Sequence, residues 1–327
     1  MLGEELGLVL SLHGVVERIE HPEIQLNHLD LETFERVVEL VRTRFSVVSL
    51  DEIVASLRGG GPLPARAVAL TFDDGYRSML DIVDPILAAH GLPYAVFVPA
   101  GLVGSGERLP TYVMRAALTF TRRREIRLPG RRKALPLRTA AERSAAVGVA
   151  AALLRSSPQP VVHEATAELR ALLSPDEWEE VDRRFESEAL MGWDELARLA
   201  RRRVTVGSHT HGHAVLHTRQ SAEEIGTQVR ASKAEIEERL GVPCRHFCYP
   251  QGRRGDVCPA AVRAVRDAGY AAGLMNIGGQ VRTGMDPLLL PRLYVSQRFG
   301  ADAVAPHALA RRSKWFATFT AELDPGG

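Results

Sequence analysis

Cysteine is scarce, with three residues in a chain of 327. So small and odd a number argues against a disulfide framework as the source of stability. Long apolar runs are missing too, and no stretch approaches the roughly 18 residues that a membrane span needs. Neither sign of charge prevails: 41 Lys and Arg stand against 40 Asp and Glu, a net +1. That balance gives no global attraction to nucleic acid or to an anionic membrane. The first residues carry Glu4 and Glu5 and no basic flank, so they do not read as a secretory signal. The expected setting is therefore cytoplasmic, with no membrane span, no nucleic-acid partner and an oligomeric state that the sequence leaves open. Internal repeats and low-complexity tracts are also absent. What remains is ordinary: 45% hydrophobic and 25% charged residues, enough chain for one large domain or two smaller ones.

Short β-rich runs alternate with amphipathic stretches. Strands are predicted at residues 6–13, 47–50, 68–72, 94–99, 204–209, 246–250, 270–275 and 288–295. Phe34, Val37, Val38, Val41 and Phe45 share one helical face. A second helix is predicted up to His90, with Pro85 inside it and Gly91 as its stop, and a third over residues 222–240, ending at Gly241. Strands separated by helices predict βα units, a mainly parallel sheet and, at seven or eight strands, a barrel. Residues 106–190 differ: they are rich in Arg and largely helical in pattern, and read as an insertion in one domain. Their charge reads as a solvated face.

Two clusters carry chemistry. Thr71-Phe72-Asp73-Asp74-Gly75 ends an apolar strand with adjacent carboxylates. Like charges so close raise one pKa or require a cation. The alternative is an Asp-Gly turn with one capping Asp. His209-Thr210-His211-Gly212-His213 follows another apolar strand, and His209 and His213 can converge on one ion. Zn²⁺ commonly takes two His and one carboxylate and keeps a position open. Hydrogen-bonded loop histidines are the plainer alternative. In a parallel barrel both clusters face the same rim. The cysteines, spaced Cys244-x3-Cys248-x9-Cys258, match no common zinc module, and Cys248 reads as a small buried apolar residue.

Thr71–Gly75 together with His209–His213 resembles the polysaccharide deacetylase (NodB-homology, carbohydrate esterase) family. Phe247-Cys248-Tyr249-Pro250-Gln251-Gly252 resembles its third motif, and Leu290-Pro291-Arg292 and Met191–Leu196 resemble elements of one bacterial branch. The resemblance covers most of residues 6–100 and 190–296. It implies an α/β fold, a distorted (β/α) barrel of about seven strands with the helical insertion at about 106–190. The barrel would occupy residues 1–300 as a single unit, and residues 301–327 would form a tail.

The implied activity is removal of N-acetyl groups from an amino-sugar saccharide or glycan precursor, with release of acetate. Asp74, His209 and His213 would hold a divalent metal, most often Zn²⁺ and sometimes Co²⁺ or Ni²⁺. Asp73 would be the general base. The metal and the backbone N–H of Tyr249, beside Pro250, would stabilise the oxyanion. Arg292 would pair with Asp73 and keep it ionised, a part that Arg245 could also play. Many members carry a late Leu-x-His whose His is the general acid, and His307 lacks the apolar strand that should precede it. Leu10-Ser11-Leu12-His13 instead resembles the first-strand His of the poly-N-acetylglucosamine deacetylases, so His13 takes the acid role, with Leu12 where that group has Tyr and Gly14 where it often has Arg. Trp193 and Tyr249 are candidates to stack on a sugar, with core packing favoured for Trp193. Two further readings stand beside this one: hydrolysis of other non-peptide amide bonds, and a non-catalytic saccharide-binding module.

Overall fold

The computed structural model describes residues 4–297. His307 and the expected tail at 301–327 lie outside them. Eight strands build the frame: β1 (Glu5–Leu12), β2 (Ala67–Phe72), β3 (Tyr94–Val98), β4 (Thr205–Ser208), β5 (His246–Cys248), β6 (Ala272–Met275), β7 (Leu290–Pro291) and β8 (Leu293–Tyr294). β1 to β7 pair in sequence order, all parallel, and β8 pairs back onto β1, so the sheet is nearly closed into a barrel. β7 and β8 are halves of one last strand interrupted at Arg292, which reconciles eight strands with the expected seven positions. Val281–Arg282 adds a short antiparallel edge to β1.

The alternation of side chains sorts the residues. Leu8, Leu10 and Leu12 of β1, Val68, Leu70 and Phe72 of β2, and Val96 and Val98 of β3 join one apolar cluster with the outer helices. Val9, Ala69, Ala95, Phe97, Cys248, Leu274 and Leu290, from the opposite face of the same strands, join another. The enclosed face is narrow. A Cβ on Gly207 of β4 would stand 2.4 Å from the Phe97 ring, so glycine there makes room for Phe97.

Helices α1 (Leu31–Arg44), α2 (Leu50–Leu57) and α3 (Asp84–Ala89) belong to the first half of the barrel. α1 buries Phe34, Val37, Val38 and Val41, the face its spacing predicts. The strand predicted at 47–50 is corrected. Only Ser46–Val47 is extended, and Ser49 then starts α2 through a reciprocal capping box with Glu52. The helix predicted up to His90 opens with a π-type turn at Met79–Val83, with Pro85 just inside α3 and Gly91 at a φ of 64°.

The insertion folds as α4 (Pro110–Phe120), a small hairpin, α5 (Ala140–Ser156), α6 (Gln159–Arg170) and α7 (Pro175–Arg184). Its apolar side chains form their own cluster, which also takes in Ile24 and Tyr76 from loops at the barrel rim. α8 (Trp193–Arg201), α9 (Ala222–Leu240) and α10 (Pro259–Asp267) complete the wall. Among the described residues, no helix is long and apolar enough to cross a membrane.

Candidate metal centre

Register brings the carboxyl ends of the strands level. Leu12 pairs with Phe72, Val98 with Ser208, and Ser208 with Phe247. His13, Asp73 and His209 each follow one of these residues, on the enclosed face of the alternation. Their backbones continue the ladder: the Asp73 N–H donates to the Leu12 carbonyl and the His209 N–H to that of Val98, both at 2.9 Å.

Asp73 is held from below by Arg292, whose guanidinium donates to Oδ1 at 2.7 Å and to Oδ2 at 2.6 Å. Both groups are fully buried. Arg292 also donates to Thr71 Oγ1 and to Cys248 Sγ, each at 3.0 Å. Burial alone would raise the Asp73 pKa, but Arg292, through its charge and hydrogen bonds, and the nearby His209 and His13 outweigh it and hold the carboxyl at about 2. Cys248 is more than a small apolar filler. Burial pushes its thiol well above the ordinary range, so Sγ stays protonated 3.6 Å from both Asp73 oxygens.

Alternation alone would send Asp74 to the outer face. Its backbone lies in the left-handed region at a φ of 73°, followed by Gly75 at 74°, and the turn brings the second carboxylate back to the rim. A Cβ on Gly75 would meet Val98 Cγ1 at 2.7 Å. His213 also has a positive φ, of 58°. Asp74 Oδ1 then stands 3.1 Å from His213 Nε2 and 3.6 Å from His209 Nε2. The His209 Nδ1 faces the Cys248 carbonyl at 2.8 Å, which fixes the tautomer and leaves Nε2 a free lone pair. Burial lowers the His209 pKa to about 4 against the opposing charges of Asp73 and Asp74, so the ring is neutral at pH 7. Asp74 is well below the carboxylate range: burial opposes ionisation, but the three imidazoles His213, His13 and His209 outweigh it.

These donors fit a divalent cation. Asp74 Oδ1 is buried with no hydrogen bond of its own, and two imidazole nitrogens converge on it. Asp73, His209 and Cys248 form a second convergent group, but its thiol is protonated and its carboxylate is already engaged by Arg292. The first set is therefore the better ligand set.

The remaining sequence candidates divide. His13 stands at the rim as expected, its Nε2 4.0 Å from Asp74 Oδ2 and its ring edge-on to Tyr294. Burial lowers its pKa, against Asp74 and Asp73. Gly14 admits His28, whose Nε2 would lie 2.3 Å from a Cβ at that position. The Tyr249 N–H is corrected as an oxyanion donor, because it already donates to the Leu274 carbonyl at 3.1 Å within the sheet. Its ring is buried in the core against Phe247, which leaves no face open for stacking on a sugar. Pro250 is buried, and its carbonyl accepts from Gly252. Arg245 is likewise corrected: it is largely exposed and lies beside Asp51, so Arg292 alone clamps Asp73. His211 turns away to Glu235. Trp193 packs against the main core, with Arg239 over its ring.

Sequence reasoning missed the groups that reach the rim from loops and from the insertion. His28 Nδ1 lies 3.3 Å from Glu188 Oε1, both fully buried. Burial lowers His28 to about 4 and raises Glu188 to about 8, so at pH 7 two neutral groups meet. The Tyr76 ring lies tilted against His28, with centroids 4.6 Å apart. These side chains lie far apart in the chain and carry no spacing signal. The acid at Glu188 follows a run of charged residues and looks solvated in sequence.

Comparison with known proteins agrees with this geometry. The sequence profile of the polysaccharide deacetylase family matches residues 60–122 and 166–273. The poly-beta-1,6-N-acetyl-D-glucosamine N-deacetylase of Escherichia coli K12 is 46% identical over 67 residues, which are 20% of this chain and only 10% of that protein. Streptococcus pyogenes deacetylase PplD superposes with a TM-score of 0.58 at 14% identity, covering 92% of this chain and 97% of that one. IcaB from Ammonifex degensii gives 0.58 at 18% identity with the same coverage. At such identities the likeness is one of fold. The profile match spans just over half of the sequence and includes both the Asp73-Asp74 and the His209–His213 segments, and the chain belongs to the polysaccharide deacetylase family.

Proposed function

We propose that this protein is a metal-dependent de-N-acetylase, hydrolysing the acetamide of an amino-sugar saccharide to the free amine and acetate. One observation carries the reading. Asp74 Oδ1 is buried without a hydrogen bond between two imidazole Nε2 atoms, while the neighbouring Asp73 is held ionised by a buried arginine. Asp74, His209 and His213 would hold the cation, most suitably Zn²⁺, which favours two nitrogens and one carboxylate with an open position. Bound there, it would polarise the acetamide carbonyl and acidify water. Asp73 takes the proton of the attacking water; its low pKa keeps it available as a base across the neutral range. His13 supplies the proton that the departing amine needs, and its lowered pKa makes the imidazolium a stronger acid, though a scarcer one, at pH 7. The barrel and the segment 106–190 act together in this reading as one unit, the segment forming a wall of the cleft. The complete Asp73, Asp74, His209 and His213 set argues against a purely binding role.

The test pairs metal content with acetate release from N-acetylglucosamine oligomers. Asp73→Asn is expected to retain the metal and lose turnover by about 10²-fold or more, the range of general-base deletions. Wild-type turnover in Asp73→Asn would overturn the base assignment, and absence of metal affinity in the wild type would overturn the site. Because Asn leaves Arg292 less well paired, the variant's melting curve is recorded alongside.

A further inference from the structure

Between the barrel rim and the insertion lies a cavity of about 350 Å³, within the range of small-ligand sites. His213 is among its lining residues. Met114 and Arg115 of α4, Arg155 of α5 and Arg253 from the loop after β5 line it, and none of its lining residues is Asp or Glu. Arg115 is the unusual member. It is 8% exposed, yet among the described residues it has neither a hydrogen bond nor an ion pair. A mostly buried guanidinium without a hydrogen bond or ion pair is unusual, because buried charges are ordinarily paired. Glu188, whose carboxyl feels the Arg115 charge, is nevertheless raised by burial to about 8 and so offers little counter-charge at neutral pH. Arg155 is half-exposed and leans on Asp256 at 3.6 Å, and Arg253 is exposed. The site thus has one mostly buried cation, two more exposed ones, and a histidine of the proposed metal set among its lining residues.

We infer that the saccharide taken by this site carries an anionic group, a phosphate or a carboxylate, close to the acetamide that is cut, and that Arg115 binds that group. The inference rests on the deacetylase reading for the acetamide but not for the anion. Planar guanidinium matches either oxyanion through two parallel hydrogen bonds, and such charge-assisted bonds are the strong ones. The apolar side of the cavity, from Met114, Ala151 and Val162, suits the less polar face of a sugar ring.

The experiment has two arms. In the first, N-acetylglucosamine 1-phosphate, an N-acetylglucosamine–glucuronate disaccharide and neutral N-acetylglucosamine are titrated calorimetrically into chelator-treated protein, so that affinity of the anion for a metal does not contribute. At least one anionic sugar is expected to bind about tenfold or more tightly than the neutral one, as one charge-assisted contact provides. Preference for the phosphate or for the uronate identifies the group. In Arg115→Gln the preference is expected to fall to about unity, with Arg115→Lys recovering part of it. Equal binding of all three sugars, or a preference that survives Arg115→Gln in a variant with an unchanged melting curve, overturns the inference. In the second arm, acetate release is measured on the metal-loaded enzyme. Preferential binding without acetate release from any sugar keeps the anion site and removes the deacetylase reading. Acetate release without preference does the reverse.

Discussion

At the scale of single residues, the site depends on which of two adjacent carboxylates is free. Asp73 and Asp74 are chemically the same, and their environments separate them. Asp73 accepts two hydrogen bonds from Arg292, whereas Asp74 Oδ1 has none and faces imidazole nitrogens. In the proposed mechanism the first serves as base and the second as metal ligand. The Arg292 contact also sets a pH window. The Asp73 pKa, about 2, lies below its ordinary 3.8, so the stabilisation from this pair is complete above the ordinary value and is lost as pH falls through about 2. Arg292→Lys keeps the charge but not the fork. The acid limb of kcat/KM is then expected to move to higher pH, with turnover near neutrality falling by no more than about tenfold, since the charge remains. A pH–rate profile identical to wild type would show that Arg292 does not tune the base.

At the scale of elements, strand ends and their turns do the positioning. Alternation along β1, β2 and β4 puts His13, Asp73 and His209 on the enclosed face, and this much follows from a period of two. Asp74 and His213 escape that rule through left-handed backbones, which no side-chain pattern announces. α9 was legible to the residue, with Ser221 as cap and Gly241 at a φ of 65°. α2 was misread because Val47 and Val48 are β-branched. The capping box Ser49-x-x-Glu52 was the available signal, and it overrode that propensity. The narrow barrel makes its own prediction. Gly207→Ala would place a methyl 2.4 Å from the Phe97 ring and 2.9 Å from the His246 carbonyl. Overpacking of this kind costs about 1–3 kcal/mol, so denaturant unfolding should show a clear loss of stability. An unchanged midpoint would mean that the enclosed face relaxes freely.

At the scale of the whole molecule, the insertion meets the rim through its apolar cluster with Ile24 and Tyr76, and a buried neutral pair, not its many surface charges, lies at that junction. Arg122 and Glu177, Arg183 and Glu179, and Arg184 and Glu20 are exposed ion pairs of small worth. His28 and Glu188 are buried, one in the loop before α1 and the other at the end of the insertion. Glu188 titrates near 8 when folded against 4.5 ordinarily, so the native state loses stability as pH rises from about 4.5 through 8. His28 titrates near 4 against 6.5, so stability is lost on the other side, as pH falls from about 6.5 through 4. Glu188→Gln removes the first loss only. Its melting temperature should gain on wild type by several degrees between pH 5 and pH 8.5. A constant difference across that range would place an ionised carboxylate at Glu188.

The sequence by itself determined the parallel α/β barrel and the two rim segments, and it supplied the four side chains Asp73, Asp74, His209 and His213 proposed for the site, because each depends on local pattern: strand period, capping, and short motifs at strand ends. It determined the Arg292 clamp only as an expectation. Tertiary structure decided which backbone amide was already bonded, which arginine reached Asp73, and that Arg115, Glu188 and His28 approach the site at all. Those outcomes depend on desolvation and on contacts between residues far apart in the chain. Burial, not residue type, is what raises Glu188 to about 8 and pushes the Cys248 thiol well above its ordinary range.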